Sequence, residues 1–314
     1  MNRKVLLSAP YMLPEIERFR NLLEGSGIEL CVPEVAERLE EDDLIPLVGA
    51  VDGVICGDDR FTARVLDAAP RLKVISKWGT GIDSIDLDAC RCKNIAVFNT
   101  PGAFTDPVAD SVMAYLLNFA RMTSWLDREM KLGRWEKLPG RALCECTLGV
   151  IGVGNIGKAV AHRAAAFGMR LLGHDVVSLS RDFLDRSGIT MVTKEKLLQE
   201  ADFVTLHCDL NRSSRHLMDQ KAFSLMKPDA FLINTSRGAV VDEAALVNTL
   251  RQGGIAGAAL DVFEEEPLPV ESPLRSMDNV LLAPHNANSS PSAWERVHEN
   301  TVRNLLNGLK AGEQ

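Results

Sequence analysis

Val150-Ile151-Gly152-Val153-Gly154-Asn155-Ile156-Gly157 lies in the middle of the chain, between an apolar run and an alanine-rich stretch. Leu148–Val153 reads as a strand and Ile156–Phe167 as a helix, so the three glycines fall on the turn between them. A dinucleotide-binding turn needs glycine at each place. Gly152 allows the tight turn, Gly154 lets the backbone approach a pyrophosphate, and Gly157 lets helix and strand pack closely. The helix start, with Asn155 and Ile156, then offers free N–H groups and a positive dipole end to phosphate. A second strand, Met169–Gly173, runs on to Asp175, eighteen positions after Gly157. An acid at that distance binds the adenosine ribose diol and repels a 2′-phosphate, which favours NAD over NADP. The structural alternative is that Asp175 only caps its loop.

The 314 residues exceed one core, which implies two domains, and the motif begins after enough chain for a separate first domain. Hydrophobic residues make up 46% and charged residues 25%, as in a globular protein, and the net charge of −8 without a basic block argues against nucleic acid as partner. Seven cysteines, with Cys90/Cys92 and Cys144/Cys146 spaced by one residue, form neither a zinc spacing nor a disulfide framework. They imply free thiols in a reducing cytoplasm, and no metal is expected. The apolar part of Asn2 to Leu7 is too short for a signal peptide and meets Pro10, and no run is long enough for a membrane span.

Before the glycine turn, apolar runs at Val5–Ala9, Ile28–Val32, Val51–Cys56, Leu72–Ser76 and Ile95–Phe98 alternate with helix-like Pro14–Leu23, Glu34–Val48, Thr62–Ala69 and Leu87–Cys92. Such alternation predicts a parallel sheet covered on both faces. A long helix is expected from Thr105 to Ala120, with more helix to Leu132. Strand–helix units then resume through Ala283, and a final helix, Ser292–Leu309, could cross back to the first domain.

Three strand ends carry polar chemistry. Leu232-Ile233-Asn234-Thr235-Ser236-Arg237-Gly238 ends in a guanidinium suited to a carboxylate through paired hydrogen bonds. Ala258-Ala259-Leu260-Asp261-Val262-Phe263-Glu264-Glu265-Glu266-Pro267 ends in acids, most of which read as a solvated turn. Val280-Leu281-Leu282-Ala283-Pro284-His285 ends in an imidazole. Ligands of open parallel sheets sit at the carboxyl ends of strands, so Arg, Glu and His can converge there. That set suits hydride transfer to a 2-keto acid. Arg binds the carboxylate, His exchanges a proton with the carbonyl oxygen, and a carboxylate on the other ring nitrogen fixes the tautomer.

Together with Lys77-Trp78-Gly79-Thr80-Gly81-Ile82-Asp83 and Asn99-Thr100-Pro101-Gly102, these segments resemble the D-isomer specific 2-hydroxyacid dehydrogenases, the family of phosphoglycerate dehydrogenase, glyoxylate/hydroxypyruvate reductase and formate dehydrogenase. The resemblance spans nearly the whole chain. It implies an α/β fold of two Rossmann-like doubly wound parallel-sheet domains: a discontinuous, flavodoxin-like substrate domain from residues 1–99 and 287–314, and an NAD-binding domain over residues 100–286. Catalysis would rest on Arg237, Glu266 and His285, the family acid being the one directly before proline. NAD would meet Gly152, Gly154, Asn155, Ile156, Gly157, Asp175, Thr235 and Ser236, with His207 and Cys208 on the adenine side and Asp261 at the nicotinamide carboxamide. Substrate would meet Lys77, Trp78, Gly79, Thr80 and Gly81. Asp209 stands where the family usually has proline, Lys77 where it often has arginine, and Asp110 where glutamate is frequent.

The resulting expectation is a cytoplasmic, homodimeric, NAD-dependent enzyme interconverting a small 2-keto acid and its D-2-hydroxy acid, with no nucleic-acid or membrane partner. The phosphoglycerate-type branch is slightly preferred over a hydroxypyruvate/glyoxylate reductase, with Arg60 and Lys77 as cations for a phosphate. A catalytically silent NAD-sensing, corepressor-like module and phosphite or formate oxidation are the alternatives.

Overall fold

The computed structural model describes residues 3–311. The chain forms two compact units, one from the residues up to Phe104 together with those from Ser290 onward, the other Thr105–Ser289.

The first unit is built on five parallel strands, β1 (Arg3–Leu7), β2 (Ile28–Cys31), β3 (Gly53–Cys56), β4 (Val74–Lys77) and β5 (Ala96–Phe98), in the spatial order β2-β1-β3-β4-β5. This is the flavodoxin-like order of a doubly wound sheet. Helices α1 (Glu17–Gly25), α2 (Glu41–Val48), α3 (Ala63–Asp67) and α4 (Leu87–Cys92) connect the strands. Successive residues of a strand point to opposite faces. Val54, Cys56 and Ile75 accordingly pack with Leu44, Val48, Val65, Leu66 and Cys90 from α2, α3 and α4. Several elements start later than the sequence pattern predicts. The stretch from Pro14 splits into a short 3-10 turn, Leu13–Glu15, and α1. The helix expected from Glu34 begins only at Glu41. The buried Asp59 carboxylate takes the Leu39 amide at 2.7 Å, the Leu39 carbonyl accepts from Arg60, and a Glu40–Asp43 capping box starts the helix just beyond. A tertiary contact thus overrides an acceptable helical pattern.

The second unit begins with α5 (Thr105–Arg121) and α6 (Thr123–Lys131). It continues with β6 (Thr147–Ile151), α7 (Asn155–Ala166), β7 (Arg170–His174), α8 (Arg181–Ser187), β8 (Thr190–Met191), α9 (Lys194–Glu200) and β9 (Phe203–Leu206). It ends with α10 (Gln220–Leu225), β10 (Phe231–Asn234), α11 (Glu243–Arg251), β11 (Gly257–Leu260) and β12 (Val280–Leu282). The seven parallel strands stand in the order β12-β11-β10-β9-β6-β7-β8. Chain order therefore reverses between β6 and β9, the switch point where a doubly wound sheet opens a crevice at its strand ends. One face carries Val112, Leu116, Val160 and Ala164 against Leu148, Val150 and Ile233. The other carries Leu197, Phe223 and Leu246 against Ile151, Val204 and Leu232. Arg163 of α7 ties α5 down through Asp106 at 2.9 Å and Asp110 at 2.8 Å.

The last helix, α12 (Pro291–Ala311), belongs to the first unit. It lies on the sheet face opposite α2–α4: Ser76 Oγ donates to Thr301 O at 2.8 Å, and Leu305 and Leu309 lie over Gly53. A Cβ at Gly308 would stand 2.4 Å from the Val74 side chain, so the helix sits as close as glycine permits.

Candidate active site

The three glycines of the central turn have separate, measurable duties. Gly152 holds φ +85°, and a Cβ there would strike the His207–Cys208 peptide at 2.5 Å. At Gly157 a Cβ would come within 2.1 Å of the Gly152 carbonyl, so α7 presses directly on the turn. At Gly154 a Cβ would meet nothing within 4 Å, so the backbone is bare where a phosphate must approach. Gly154 is also the N-cap of α7 and makes no side-chain cap, which leaves the amides at Asn155 and Ile156 without a capping side chain, as an anion site requires. Asp175 is half-buried and accepts Val153 N at 2.6 Å and Val177 N at 2.9 Å. It therefore does cap its loop and braces the glycine turn. A carboxylate has about four lone-pair positions, so two hydroxyl donors can still be accommodated. The next residues, Val176 and Val177, are exposed and uncharged, and Arg181 is paired with Asp185.

Three buried side-chain polar atoms among the described residues of this unit lack a partner, Nδ1 of His207, Oγ1 of Thr235 and, away from the strand ends, Oγ of Ser272. His207 and Thr235 are residues expected at the cofactor, and an amide or hydroxyl arriving with a dinucleotide would satisfy them. Burial drops the His207 ring to about 3 and pushes the Cys208 thiol up to about 11, so both stay neutral at physiological pH. Neither adds charge beside an adenine. The residues present thus fit a dinucleotide.

β10, β11 and β12 are neighbours, and their three outgoing turns carry Arg237, Glu266 and His285. Hydrogen bonds link the turns. Asp261 N donates to Asn234 O at 3.0 Å, and His285 N to Asp261 O at 2.8 Å. In the first turn Asn234 works as a clamp, its Oδ1 accepting from Ser236 N and Oγ and its Nδ2 donating to Arg237 O at 2.9 Å. A Cβ on Gly238 would fall 1.9 Å from the Phe263 carbonyl, which fixes the first turn against the second. In the second turn Glu266 Oε1 accepts Phe263 N at 2.9 Å, while Oε2 meets His285 Nδ1 at 2.9 Å. His285 sits at φ +52°, a conformation costly for a residue with a Cβ. Asp261 secures it. Its carboxylate, 1% exposed, accepts Asn286 N at 2.8 Å and Ala287 N at 2.9 Å. Burial raises the Asp261 carboxyl above its usual range, against those two hydrogen bonds. Asp261, expected at the carboxamide of the nicotinamide, thus also holds the His285 loop, with one amide on each oxygen and lone pairs left on both.

In the first unit, the loop after β4 is held from inside. Lys77 is 3% exposed and pairs with Asp58 at 2.9 Å. Trp78 is 5% exposed, stacks on Tyr11 at 5.3 Å, packs on Phe104 and Trp294, and donates Nε1–H to His298 Nδ1 at 3.0 Å. These two side chains, expected among the substrate contacts, support the loop. Gly79 holds φ +125° and its carbonyl accepts from Thr100 N, while the Thr80 carbonyl accepts from Asn99 at 2.6 Å. Thr80 is exposed and Gly81 half-buried.

Sequence reasoning missed one contact beside the acidic turn. Glu264, grouped with a solvated run, meets His216 Nε2 at 2.6 Å. The partners are 48 residues apart, and nothing local marks His216. Among the described residues no group of His, Cys, Asp and Glu could hold a metal ion, and no helix is long and apolar enough to cross a membrane.

Residues 113–287 match the model of the D-isomer specific 2-hydroxyacid dehydrogenase NAD-binding domain. A glyoxylate reductase of Korarchaeum cryptofilum is 41% identical over 261 residues, covering 81% of this chain and 78% of that protein. A D-3-phosphoglycerate dehydrogenase of Methanocaldococcus jannaschii is 38% identical over 264 residues, 83% of this chain but 50% of that longer protein. Among solved structures, a D-lactate dehydrogenase from Aquifex aeolicus complexed with NAD and lactic acid superposes with a TM-score of 0.88 at 28% identity, covering 99% of this chain and 96% of that one.

Proposed function

This chain belongs to the D-isomer specific 2-hydroxyacid dehydrogenase family and is an NAD-dependent oxidoreductase of 2-keto and D-2-hydroxy acids, and we propose that Arg237, Glu266 and His285 carry its catalysis on a small substrate charged only at its carboxylate. The observation that carries this reading is the His285–Glu266 contact at 2.9 Å on a turn next to that of Arg237. The glycine turn, Asp175 and the strand-end residues would hold the dinucleotide, which when bound would supply the hydride for the substrate's carbonyl carbon. His285 delivers the proton from Nε2 to the carbonyl oxygen as the carbon–oxygen double bond opens, and takes it back in oxidation. Glu266 accepts Nδ1–H, which orients the ring and balances its charge when both nitrogens carry protons. Arg237 pairs with the substrate carboxylate and draws electron density toward the carbonyl oxygen.

The substrate reading rests on charge. Lys77 and Arg60 are the cations a phosphate would need near the β4 loop. Lys77 already pairs with Asp58, and Arg60 lies 3.9 Å from Glu40. Glyoxylate or hydroxypyruvate needs neither. The same reading makes the enzyme cytoplasmic, supported by seven unpaired thiols, and a homodimer, supported by the exposed apolar Met130, Leu132 and Trp135 that a second copy would cover.

The test follows NADH absorbance over a keto-acid panel. Glyoxylate or hydroxypyruvate should show kcat/KM at least about tenfold above 3-phosphohydroxypyruvate, a gap of ~1.4 kcal/mol. The opposite order removes the substrate assignment. His285→Ala should cut turnover roughly 10²–10⁴-fold with NADH binding intact, and unchanged turnover removes His285 from the mechanism.

A further inference from the structure

We propose that His216 is a positioning residue, holding the turn that carries Glu266 in register with the turn that carries Arg237. The inference rests on the catalytic reading above. His216 lies on neither turn but grips both. Its backbone N–H donates to Ala239 O at 2.8 Å, two residues beyond Arg237. Its ring Nε2 meets Glu264 Oε1 at 2.6 Å, two residues before Glu266. An ionised carboxylate can only accept, so Nε2 carries the hydrogen and donates.

The tether is built rather than incidental. His216 sits at φ +51°, a left-handed conformation that a residue with a Cβ adopts only where its surroundings impose it. Just after it, Met218 N donates to Val240 O at 3.1 Å and Asp242 N to Met218 O at 3.0 Å, so the segment runs as a short bridge beside residues 240–242. Glu264 is gripped a second time, its backbone N–H donating to Glu243 Oε2 at 3.2 Å. The acid that holds His285 is thus one end of a continuous line: Ala239, His216, Glu264, the short stretch to Glu266, then His285.

Both side chains of the His216–Glu264 pair are 36% exposed. A pair that exposed adds little to global stability. Its consequence falls on geometry, where displacement of a reacting group by about an ångström costs up to about 100-fold in rate. The pair bonds neither the glycine turn nor Thr235, Ser236 or Asp261, so cofactor affinity should change little.

The experiment compares His216→Ala, His216→Gln, Glu264→Ala and His285→Ala. In His216→Ala, kcat should fall roughly 10–100-fold, while KM for the keto acid and Kd for NADH stay within about twofold and the melting temperature barely moves. Amide hydrogen exchange across residues 261–268, measured without cofactor, should accelerate. His216→Gln, which still presents a donor to Glu264, should restore most of kcat. A kcat within about twofold of wild type, a loss confined to KM or Kd, or no recovery in the glutamine variant overturns the proposal. Should His216→Ala fail to fold, Glu264→Ala cuts the same tether from its other end and must reproduce the kcat loss, and near-wild-type turnover there overturns it equally. A dead His285→Ala beside an unaffected His216→Ala refutes this inference alone. Wild-type turnover in His285→Ala refutes the catalytic reading on which it rests.

Discussion

Acidification should cost the protein stability at the buried ring of His207. Solvent does not reach its Nδ1, its Nε2 lies 2.9 Å from Thr205 Oγ1, and burial lowers it from 6.5 to about 3. The folded state therefore binds a proton here less readily than the unfolded chain. A group of this kind contributes fully above its unfolded value, and the contribution is lost as pH falls from 6.5 toward 3. Going from about pH 7 to about pH 5, the unfolded chain gains nearly one proton at this ring and the folded chain almost none, a loss of about 2 kcal/mol at ~1.4 kcal/mol per pH unit. Denaturant unfolding followed by circular dichroism at both pH values, for wild type and His207→Gln, isolates the ring from every other titrating group. The variant should lose about 2 kcal/mol less than wild type over that interval. In parallel, the His207 C2 proton in NMR should stay at its neutral position down to about pH 4. Parallel losses in the two proteins, or titration of His207 near the ordinary histidine value, would refute the argument that burial holds this ring neutral.

Three further substitutions probe the cofactor site. Gly157→Ala puts a methyl 2.1 Å from the Gly152 carbonyl and should destabilise the fold by roughly 2–4 kcal/mol. Gly154→Ala meets only open space at a negative φ, so its melting temperature should match wild type while NADH affinity drops. Equal melting temperatures for the two variants would contradict that division of labour. Asp175→Ala should weaken NADH by about tenfold, the loss of one hydrogen-bonded contact of ~1.4 kcal/mol. It should also narrow the preference over NADPH in fluorescence titration, and an unchanged preference takes Asp175 out of cofactor selection.

Elements with a short-range signature were legible from the sequence. The glycine turn announced itself because strand, spacing and helix are contiguous; Gly152 and Gly157 are sterically obligatory within the fold, while a Cβ at Gly154 would meet only open space. The strand ends bearing Arg237, Glu266 and His285 were legible as separate turns, because a parallel strand must end in polar residues where its ligand sits. What a linear pattern does not encode is the partner across space. The helix start at Glu41 depends on Asp59, twenty positions beyond the Leu39 amide it captures. Trp78 looks from its neighbours like a loop residue open to substrate. Its ring turns inward because Tyr11 and Trp294, at opposite ends of the chain, complete an aromatic cluster around it. Asp261 follows an apolar strand as a ligand-facing acid would, and nothing local shows that its oxygens also take amides 25 and 26 residues further on. His216 and Glu264 each look like ordinary solvated polar residues, and only their meeting distinguishes them.

The return of α12 to the first sheet has a consequence for biosynthesis. While the ribosome is still translating, one face of β3 and β4 has no cover: Gly53 and Val74 wait for Leu305, Gly308 and Leu309. The middle unit has all its strands in hand by Leu282 and can close first. The amino-terminal sheet must stay open through that interval, its apolar surface a target for chaperones, and it is completed only when the final twenty-one-residue helix emerges.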